Sequence, residues 1–306
     1  RAFPLYGPKL FSLCRKRKYT LAHCHLFGSN VIGKPVARLA GTPVLINHDH
    51  CNGDARLASR VLLHLDRITN RLSSHIIAVS ESTRQFLISR EGILSEKVTT
   101  IHNGVDLSRY HPPTLEEREC VRARWKFTPE QIIVAGVGRL HPQKNFPLFL
   151  RIAERVTQEN PQVRFVIAGE GPDRRELEAE AVQRNLGPER CLFLGYVRDI
   201  MSLYPAVDIF LLPSLYEGTP MTILEAMACE MAIIASRLDG MAEILENGKD
   251  CFLLDLKDEK GFIDCVAKLA REAGLRKSFT RMALQKVQQR YSAEAMTRQV
   301  EALYLR

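Results

Sequence analysis

The chain has 306 residues, of which 45% are apolar and 25% are charged, a balance typical of a globular protein with enough chain for two hydrophobic cores. No apolar stretch is long enough to cross a bilayer and no signal peptide opens the chain, which argues against a membrane-spanning protein and predicts a cytoplasmic one. The eight cysteines form no CxxC pair and have no regular spacing, so they favour reduced thiols over a disulfide framework.

Positive charge is concentrated in the first third of the chain. Residues 1–112 contain 16 Lys and Arg against 7 Asp and Glu, whereas the remaining residues are close to neutral. This excess predicts an anionic partner, either a membrane surface met through the basic run 15–18 or an acidic substrate. A solvated basic face is the alternative. We therefore expect a protein that is peripheral on the inner face of the membrane.

The first half of the chain alternates strands with helices. An apolar patch at 10–13 followed by the basic run predicts the end of a helix, because cations stabilise a helix C-terminus. The apolar spacing then predicts strands at 20–25, 43–47, 75–79 and 97–102, and helices at 29–40, 57–72 and 81–90, the last capped by Ser80. This alternation is typical of a parallel sheet wound with helices.

The second half repeats the alternation after a predicted linker at 107–114, where Pro112 and Pro113 hold the chain extended. Strands are predicted at 132–137, 163–168, 191–194, 208–212, 232–236 and 252–254. Helices are predicted around 145–159, 173–185, 220–229 and 241–246, followed by a long helical region at 259–290. Both halves are therefore predicted to be doubly wound α/β domains.

Four segments of the second half resemble a known family. They are GVGRLHPQKN at 136–145, IAGEGP at 167–172, FLGYV at 193–197 and PSLYEGTPMTILEAMA at 213–228. Their order and spacing resemble those of the family 4 glycosyltransferases, and segments at 22–26, 79–80 and 101–106 extend the likeness over nearly the whole chain. The resemblance implies the GT-B fold, with two Rossmann-like domains facing a central cleft, and a retaining transfer from a nucleotide-sugar donor.

The resemblance also implies a division of the chain. We expect an acceptor-side domain over 1–112, a nucleotide-sugar-binding domain over 113–291 and a last helix, 292–306, that returns to the first domain. Family members begin with a strand and a glycine-rich loop that faces the donor phosphates. This chain starts several strands later, so it resembles a fragment without that start.

Two cations are expected at the donor diphosphate. Arg139 follows the first strand of the second domain and Lys144 lies five residues on, just before a helix. Ligands of open α/β sheets bind at the carboxyl ends of the strands. Because the leaving diphosphate gains negative charge as the glycosidic bond breaks, preorganised positive charge there favours the reaction. The alternative is a pair of solvated cations in a loop.

Two glutamates flank a predicted turn into a helix. Pro220 is expected near the first position of that helix. The turn comprises Gly218, Thr219, Pro220 and Met221, and its exposed backbone N–H groups, which proline lacks, can bind sugar hydroxyls or phosphate oxygens. By resemblance, Glu217 contacts the transferred sugar and Glu225 accepts hydrogen bonds from the ribose hydroxyls, a natural role for a carboxylate. The alternative is an exposed glutamate on an amphipathic helix.

Weaker signals complete the predicted donor site. Gly169 and Gly171 fit a close approach of the backbone to the nucleotide, although a plain strand-to-helix turn is equally consistent. Tyr196 and Val197 are expected beside the base, where the resemblance assigns bonds to the backbone.

Four histidines lie at the ends of two predicted strands of the first half: His23, His25, His48 and His50. The resemblance places one histidine against the donor sugar, with His50 favoured and His48 second. A rival interpretation is a zinc site that combines these histidines with Cys24 and Cys51. The remaining alternative is a set of ordinary histidines at strand ends.

The sequence lacks any Asp-x-Asp pair, which glycosyltransferases of the other major fold use to hold a divalent cation. We therefore expect a metal-independent enzyme without a cofactor. Its expected partners are a nucleotide sugar, with a UDP-sugar favoured and GDP-mannose second, and a glycan or lipid-linked acceptor, but no nucleic acid. The alternative is a non-catalytic sugar-nucleotide-binding module. A dinucleotide oxidoreductase is disfavoured because no strand leads into GxGxxG.

Overall fold

The computed structural model describes residues 3–50 and 60–305 and shows an α/β chain built on two parallel sheets, which confirms the predicted fold class. Its contacts divide the chain into two compact units. The first contains the residues up to His102 together with Glu217–Thr219. The second contains Asn103–Tyr216 and the residues from Pro220 onward.

The first unit is built on a four-stranded sheet whose strands pair in chain order, all parallel. The strands are β1 (Leu21–His25), β2 (Val44–Asp49), β3 (His75–Ala78) and β4 (Val98–Thr100). The described helices are Phe3–Arg17, Leu26–Leu39, Arg60–Asn70 and Glu81–Ser89. Every residue of β2 after Val44 is buried, as expected for a parallel strand that is covered on both faces.

A buried polar network lies inside the first unit. Lys34 is fully buried and donates to Asn70 Oδ1 at 2.6 Å, which also accepts from Asn47 of β2 at 2.7 Å. Asn70 in turn donates to Glu91 Oε2 at 2.7 Å. Burial lowers the pKa of Lys34 to about 8, although neighbouring carboxylates oppose the shift. The network links two helices to the sheet through paired charges and amides rather than apolar packing.

The second unit is built on a six-stranded parallel sheet with the order β10-β9-β8-β5-β6-β7. The strands are β5 (Ile132–Val137), β6 (Val163–Ala168), β7 (Cys191–Gly195), β8 (Ile209–Leu212), β9 (Ala232–Ser236) and β10 (Cys251–Leu254). The chain runs outward from β5 to β7 and then crosses back to β8, which pairs with the other edge of β5. The strand order therefore reverses between β5 and β8, where open α/β sheets bind their ligands.

Helices cover both faces of this sheet. They are Leu115–Arg124, Phe146–Glu159, Arg174–Gln183, Met221–Ala228, Asp239–Ala242, Glu259–Arg271, Ala273–Arg290 and Ala293–Tyr304. Two hydrophobic clusters result, and alternate residues of β5 contribute to them: Ile133 and Ala135 belong to one, and Val134 to the other. This alternation is the two-residue period of a strand with both faces buried.

Most predicted elements are present, and β5, β6 and β9 have the predicted bounds. One helix was missed, Leu115–Arg124, although Thr114 and Glu117 form a capping box at its start. The helical region 259–290 is two helices that meet at Glu272. The helix predicted at 29–40 begins at Leu26, and the one predicted at 241–246 spans Asp239–Ala242. The start of the helix predicted at 57–72 lies outside the described residues before Arg60.

The segment after His102 groups with the second unit. The Val105 N–H donates to the Tyr291 carbonyl at 2.8 Å, and the Ala293 N–H donates to the Val105 carbonyl at 2.8 Å. The sequence placed the boundary at residue 112 and assigned 292–306 to the first domain. The two bonds join Val105 to the start of the last helix within one unit. The domain bounds from the sequence stay a prediction.

The basic run 15–18 ends the helix Phe3–Arg17, as predicted, and its side chains are exposed. Apolar side chains of the same helix are also exposed, with Phe11 at 41% and Leu13 at 47%. None of the helices within residues 3–50 and 60–305 combines the length and the apolar composition that a membrane span requires.

Candidate donor-binding site

The loops that follow β5, β6 and β7 line a pocket that lies within the second unit, with a volume of about 380 Å³. Its lining residues are Val137, Gly138, Arg139, Ala168, Gly169, Glu170, Tyr196, Val197, Ile200, Tyr204 and Glu225. Five of the residues predicted from the sequence are therefore brought together here: Arg139, Gly169, Tyr196, Val197 and Glu225.

Glycines allow two of these loops to touch along their backbones. A Cβ added at Gly169 would overlap the carbonyl oxygen of Gly138, and one added at Gly171 would overlap that of Leu140. The Leu140 N–H donates to the Glu170 carbonyl at 2.9 Å, so the loops are hydrogen-bonded as well. Glycine is thus required at 169 and 171 because the neighbouring loop packs against the backbone there. The sequence had predicted that the nucleotide would make this close contact.

Arg139 lines the pocket and forms no ion pair within the described part of the chain. Lys144 lies against the same loop, because a Cβ at Gly138 would meet the Lys144 Cε at 3.0 Å. The next residue, Asn145, has φ of 52°, a left-handed conformation that asparagine adopts more readily than most residues. This local turn ends the segment that carries both cations.

The cation-bearing segment is also fixed from the side of β8. The Leu215 N–H donates to the Gln143 carbonyl at 2.8 Å, and Gln143 Nε2 donates to the Tyr216 carbonyl at 3.0 Å. These bonds bridge the loops after β5 and β8, the two strands that flank the switch point. They hold the backbone next to Lys144 in place before any ligand arrives.

The predicted turn at 217–221 is present, with one correction. Pro220 is the N-cap of the helix Met221–Ala228 rather than its first residue. Glu217 is buried, with 7% of its surface exposed, and it groups with Gly218 and Thr219 in the first unit. Within that unit, Thr219 Oγ1 donates to the Val79 carbonyl at 2.7 Å.

Glu225 reaches the pocket from the helix Met221–Ala228 and is held by two phenols. Tyr204 donates to Glu225 Oε2 at 2.7 Å, and Tyr110 makes a second hydrogen bond to the carboxylate. A carboxylate offers about four acceptor positions, so it retains capacity for a diol after both bonds are made. Glu225 is therefore a preoriented acceptor and not the exposed glutamate that the sequence left as an alternative.

The electrostatics of this carboxylate follow from its burial. Burial raises the pKa of Glu225, and the hydrogen bonds from Tyr204 and Tyr110 oppose that shift. Burial likewise raises the pKa of Tyr110 to about 12 and that of Tyr204 well above its ordinary value. Both phenols consequently remain protonated donors at neutral pH.

Tyr196 and Val197 line the pocket, and their place beside a base stays a prediction. Tyr196 is 73% exposed, whereas Val197 packs on the hydrophobic core. The carbonyl of Gly195 accepts from the Gly169 N–H at 2.8 Å, which joins this segment to the loop after β6.

The predicted histidines cluster in the first unit. Their rings stack in pairs, with centroids of His23 and His25 4.2 Å apart and those of His48 and His50 4.3 Å apart. A distance of 3.1 Å joins His25 Nδ1 to His50 Nε2. Burial lowers the pKa of all four, that of His23 to about 4 and that of His48 to about 2, so the cluster is neutral at physiological pH.

The rival zinc site loses one of its expected sulfur ligands. Cys24 is adjacent to His23 and His25 on β1, so the alternation of the strand turns it to the opposite face. There a Cβ at Gly33 would meet Cys24 Sγ at 3.3 Å. The other predicted sulfur ligand, Cys51, lies outside the described residues.

Tyr204 and Tyr110 were not predicted from the sequence as site residues. Tyr204 precedes Glu225 by 21 positions and Tyr110 lies in the predicted linker, so no local pattern connects either of them with the carboxylate. Only the packing of the two segments beneath the pocket brings the phenols to it.

Family models match both parts of the chain. The model described as "Glycosyltransferase Family 4" matches residues 1–109, and the one described as "Glycosyl transferases group 1" matches residues 131–272. The crystal structure of Anabaena Alr3699/HepE in complex with UDP and glucose is similar in fold, with a TM-score of 0.89 at 22% identity over 97% of this chain and 80% of that one.

Two enzymes are similar in sequence. The UDP-Gal:alpha-D-GlcNAc-diphosphoundecaprenol alpha-1,3-galactosyltransferase of Escherichia coli is 30% identical over 267 residues, which cover 85% of this chain and 68% of that enzyme. The alpha-galactosylglucosyldiacylglycerol synthase of Streptococcus pneumoniae is 35% identical over 187 residues, which cover 58% of this chain and 47% of that enzyme.

The two parallel sheets and the similarity to the Anabaena protein define the GT-B fold. The chain belongs to the family 4 glycosyltransferases of group 1, as its four sequence motifs predict. It is therefore a transferase, which confirms the predicted enzyme class.

The buried carboxylate generates a test. In Glu225→Gln, nucleotide affinity is expected to fall by about tenfold or more, because a hydrogen bond to a charged acceptor contributes about 1.5–3 kcal/mol. The free energy of unfolding is expected to rise at neutral pH, because the raised pKa means that ionised Glu225 destabilises the fold. That gain should vanish as pH falls through the folded-state pKa towards the ordinary value of 4.5.

Calorimetry with UDP and GDP measures the first effect, and denaturant unfolding at neutral pH and near about pH 4 measures the second. The exposed Glu159→Gln is the matched control. Unchanged nucleotide affinity together with lower stability would contradict the assignment of Glu225.

Proposed function

We propose that the protein transfers a sugar from a nucleoside-diphosphate sugar to a glycan or lipid-linked acceptor, with retention of the donor's anomeric configuration, in polysaccharide or cell-envelope biosynthesis. The observation that carries the proposal is the pocket itself. It presents a guanidinium without an ion-pair partner in the described chain, Arg139, and a buried, preoriented carboxylate, Glu225. A cation suits the phosphates, and an acceptor suits the ribose diol.

The donor is proposed to be a UDP-sugar, with GDP-mannose second. The Escherichia coli relative is named for a UDP-galactose donor and a diphosphoundecaprenol-linked acceptor. The pneumococcal relative is named as the synthase of a glycosylated diacylglycerol. These names support a UDP-sugar and a lipid-linked acceptor for this chain.

The chemistry centres on the leaving group. Breaking the bond between the anomeric carbon and the phosphate oxygen leaves both electrons on the diphosphate. Arg139 and Lys144 neutralise that charge, and the first N–H groups of the helix Met221–Ala228 add partial positive charge. The acceptor hydroxyl forms the new bond to the same carbon, and its proton passes to the leaving phosphate oxygen.

Other residues are assigned to the sugar. Glu217 is proposed to position a hydroxyl of the transferred sugar, remote from the reacting carbon. His50, or His48 in its place, is proposed to contact the same sugar. Because two side-chain cations and a helix N-terminus serve the diphosphate, the transfer is proposed to need no metal ion there and no cofactor.

The role of the two cations is tested by removing each. Arg139→Ala and Lys144→Ala are each expected to lower kcat/KM of the full-length protein by about 30- to 10³-fold, or about 2–4 kcal/mol of transition-state stabilisation, as for the loss of a preorganised donor. Steady-state kinetics with UDP-sugars and GDP-mannose measure the change.

The exposed Arg155→Ala and Lys260→Ala remove the same charges elsewhere in the second unit and are expected to leave kcat/KM unchanged. Turnover of the wild-type protein should also survive EDTA. Full activity in both cation variants would overturn their assignment. Complete loss with EDTA that zinc or magnesium restores would overturn metal independence and favour the histidine-cysteine site.

Binding to anionic membranes is the second proposed property. The helix Phe3–Arg17 ends in four exposed cations, Arg15 to Lys18, and exposes Phe11 and Leu13. Partitioning onto vesicles with anionic lipid is expected to exceed that onto neutral vesicles and to fall as salt rises. Replacing Arg15 and Lys16 with Gln should weaken it, whereas Arg124→Gln should not. Equal partitioning onto neutral and anionic vesicles would count against the proposal.

Stereochemistry tests the mechanism. The product is expected to keep the donor's anomeric configuration, because the residues assigned to the donor are cations, acceptors and backbone groups rather than a nucleophile with an adjacent base. Proton NMR of the freshly formed product reads the anomeric coupling directly. An inverted linkage would refute retention, and a sugar ester trapped on Glu217 would show that this carboxylate is a nucleophile.

A further inference from the structure

Three imidazoles converge at the carboxyl ends of β1 and β2. His23 and His25 share one face of β1, and the parallel register pairs His25 directly with His48 of β2. Each of the three offers a ring nitrogen, and these nitrogens all lie within 4.8 Å of one another. The distance between the histidines of β1 and His48 is therefore set by strand pairing and not by the conformation of a loop.

The buried ring nitrogens of His48 favour the binding of a ligand by the cluster. It is only 3% exposed, and both its ring nitrogens are buried without a hydrogen-bond partner among the described residues. An imidazole carries two polar nitrogens, and buried polar groups in native proteins almost always have a partner. A bound cation would take the lone pair of one nitrogen and polarise the other.

We propose that His23, His25 and His48 form a binding site for a Zn²⁺ ion. Three imidazoles plus one open position are a recognised zinc ligand set, whereas Mg²⁺ and Ca²⁺ require oxygen ligands. Nitrogens bound to tetrahedral zinc at about 2.0–2.1 Å lie about 3.4 Å apart. Binding the ion would draw together ring nitrogens that already lie within 4.8 Å of one another.

His50 supports this arrangement without being a required ligand. The contact of 3.1 Å between His25 Nδ1 and His50 Nε2 leaves Nε2 of His25 for the ion. Metal-bound histidines are commonly oriented through their second nitrogen in this way. The proposed zinc ligands include neither Arg139 nor Lys144, and direct titration tests zinc binding without reference to the proposed function. With His48 as a zinc ligand, the proposed sugar contact falls to His50.

Zinc binding is measured directly on the full-length protein without a histidine tag. The protein is stripped with EDTA, dialysed and titrated with Zn²⁺ in competition with a chromophoric chelator. One ion per chain is expected, and zinc should raise the melting temperature. Co²⁺ in place of zinc should give the visible absorption of a tetrahedral nitrogen site.

The exposed ligand His25 provides the first variant. His25→Gln is expected to lower zinc affinity by at least about tenfold and to abolish the thermal shift, while His64→Gln, an exposed histidine outside the cluster, should behave as wild type. His23→Gln should reproduce the loss, and circular dichroism of both variants reports folding. Substoichiometric zinc in the wild type, or equal affinity in wild type and a folded His25→Gln, would overturn the site.

Discussion

The donor pocket depends on the backbone contact between the loops that follow β5 and β6. Gly169 lies so close to the Gly138 carbonyl that no side chain fits between them, and the hydrogen bond from Leu140 to Glu170 continues the contact. This contact fixes the path of the segment that carries Arg139 and Lys144. The placement of the two cations proposed to bind the phosphates is therefore a consequence of two glycine-dependent loops at the switch point of the sheet.

The pocket also lowers the stability of the fold, because it buries the carboxyl group of Glu225. Burial raises the pKa of Glu225, so its ionised form weakens the fold, and that same form is the proposed acceptor for a ribose diol. The phenols of Tyr204 and Tyr110 offset part of that cost through hydrogen bonds to the carboxylate. A binding site that lowers the stability of the fold is common, because residues suited to a ligand are often unfavourable for folding.

Both units place their polar clusters at the carboxyl ends of parallel strands. In the second unit this edge carries cations and a carboxylate, and in the first it carries histidines on β1 and β2. The difference in chemistry suits different ligands: phosphates and hydroxyls for charged groups, and a borderline metal ion for neutral imidazoles. The alternation of β1 separates Cys24 from that cluster, so the ligands found among the described residues are all ring nitrogens.

The sequence by itself determined the family, the alternation of strands and helices, and the position of Arg139 after β5, because these depend on motifs and periodicity within short segments. It also contained the capping box at Thr114, whose signal was overlooked. Only the tertiary structure brought Tyr204 to Glu225 and showed that Gly169 meets a neighbouring loop. Those contacts join distant segments, and their distances are set by strand order and packing, which no local pattern encodes.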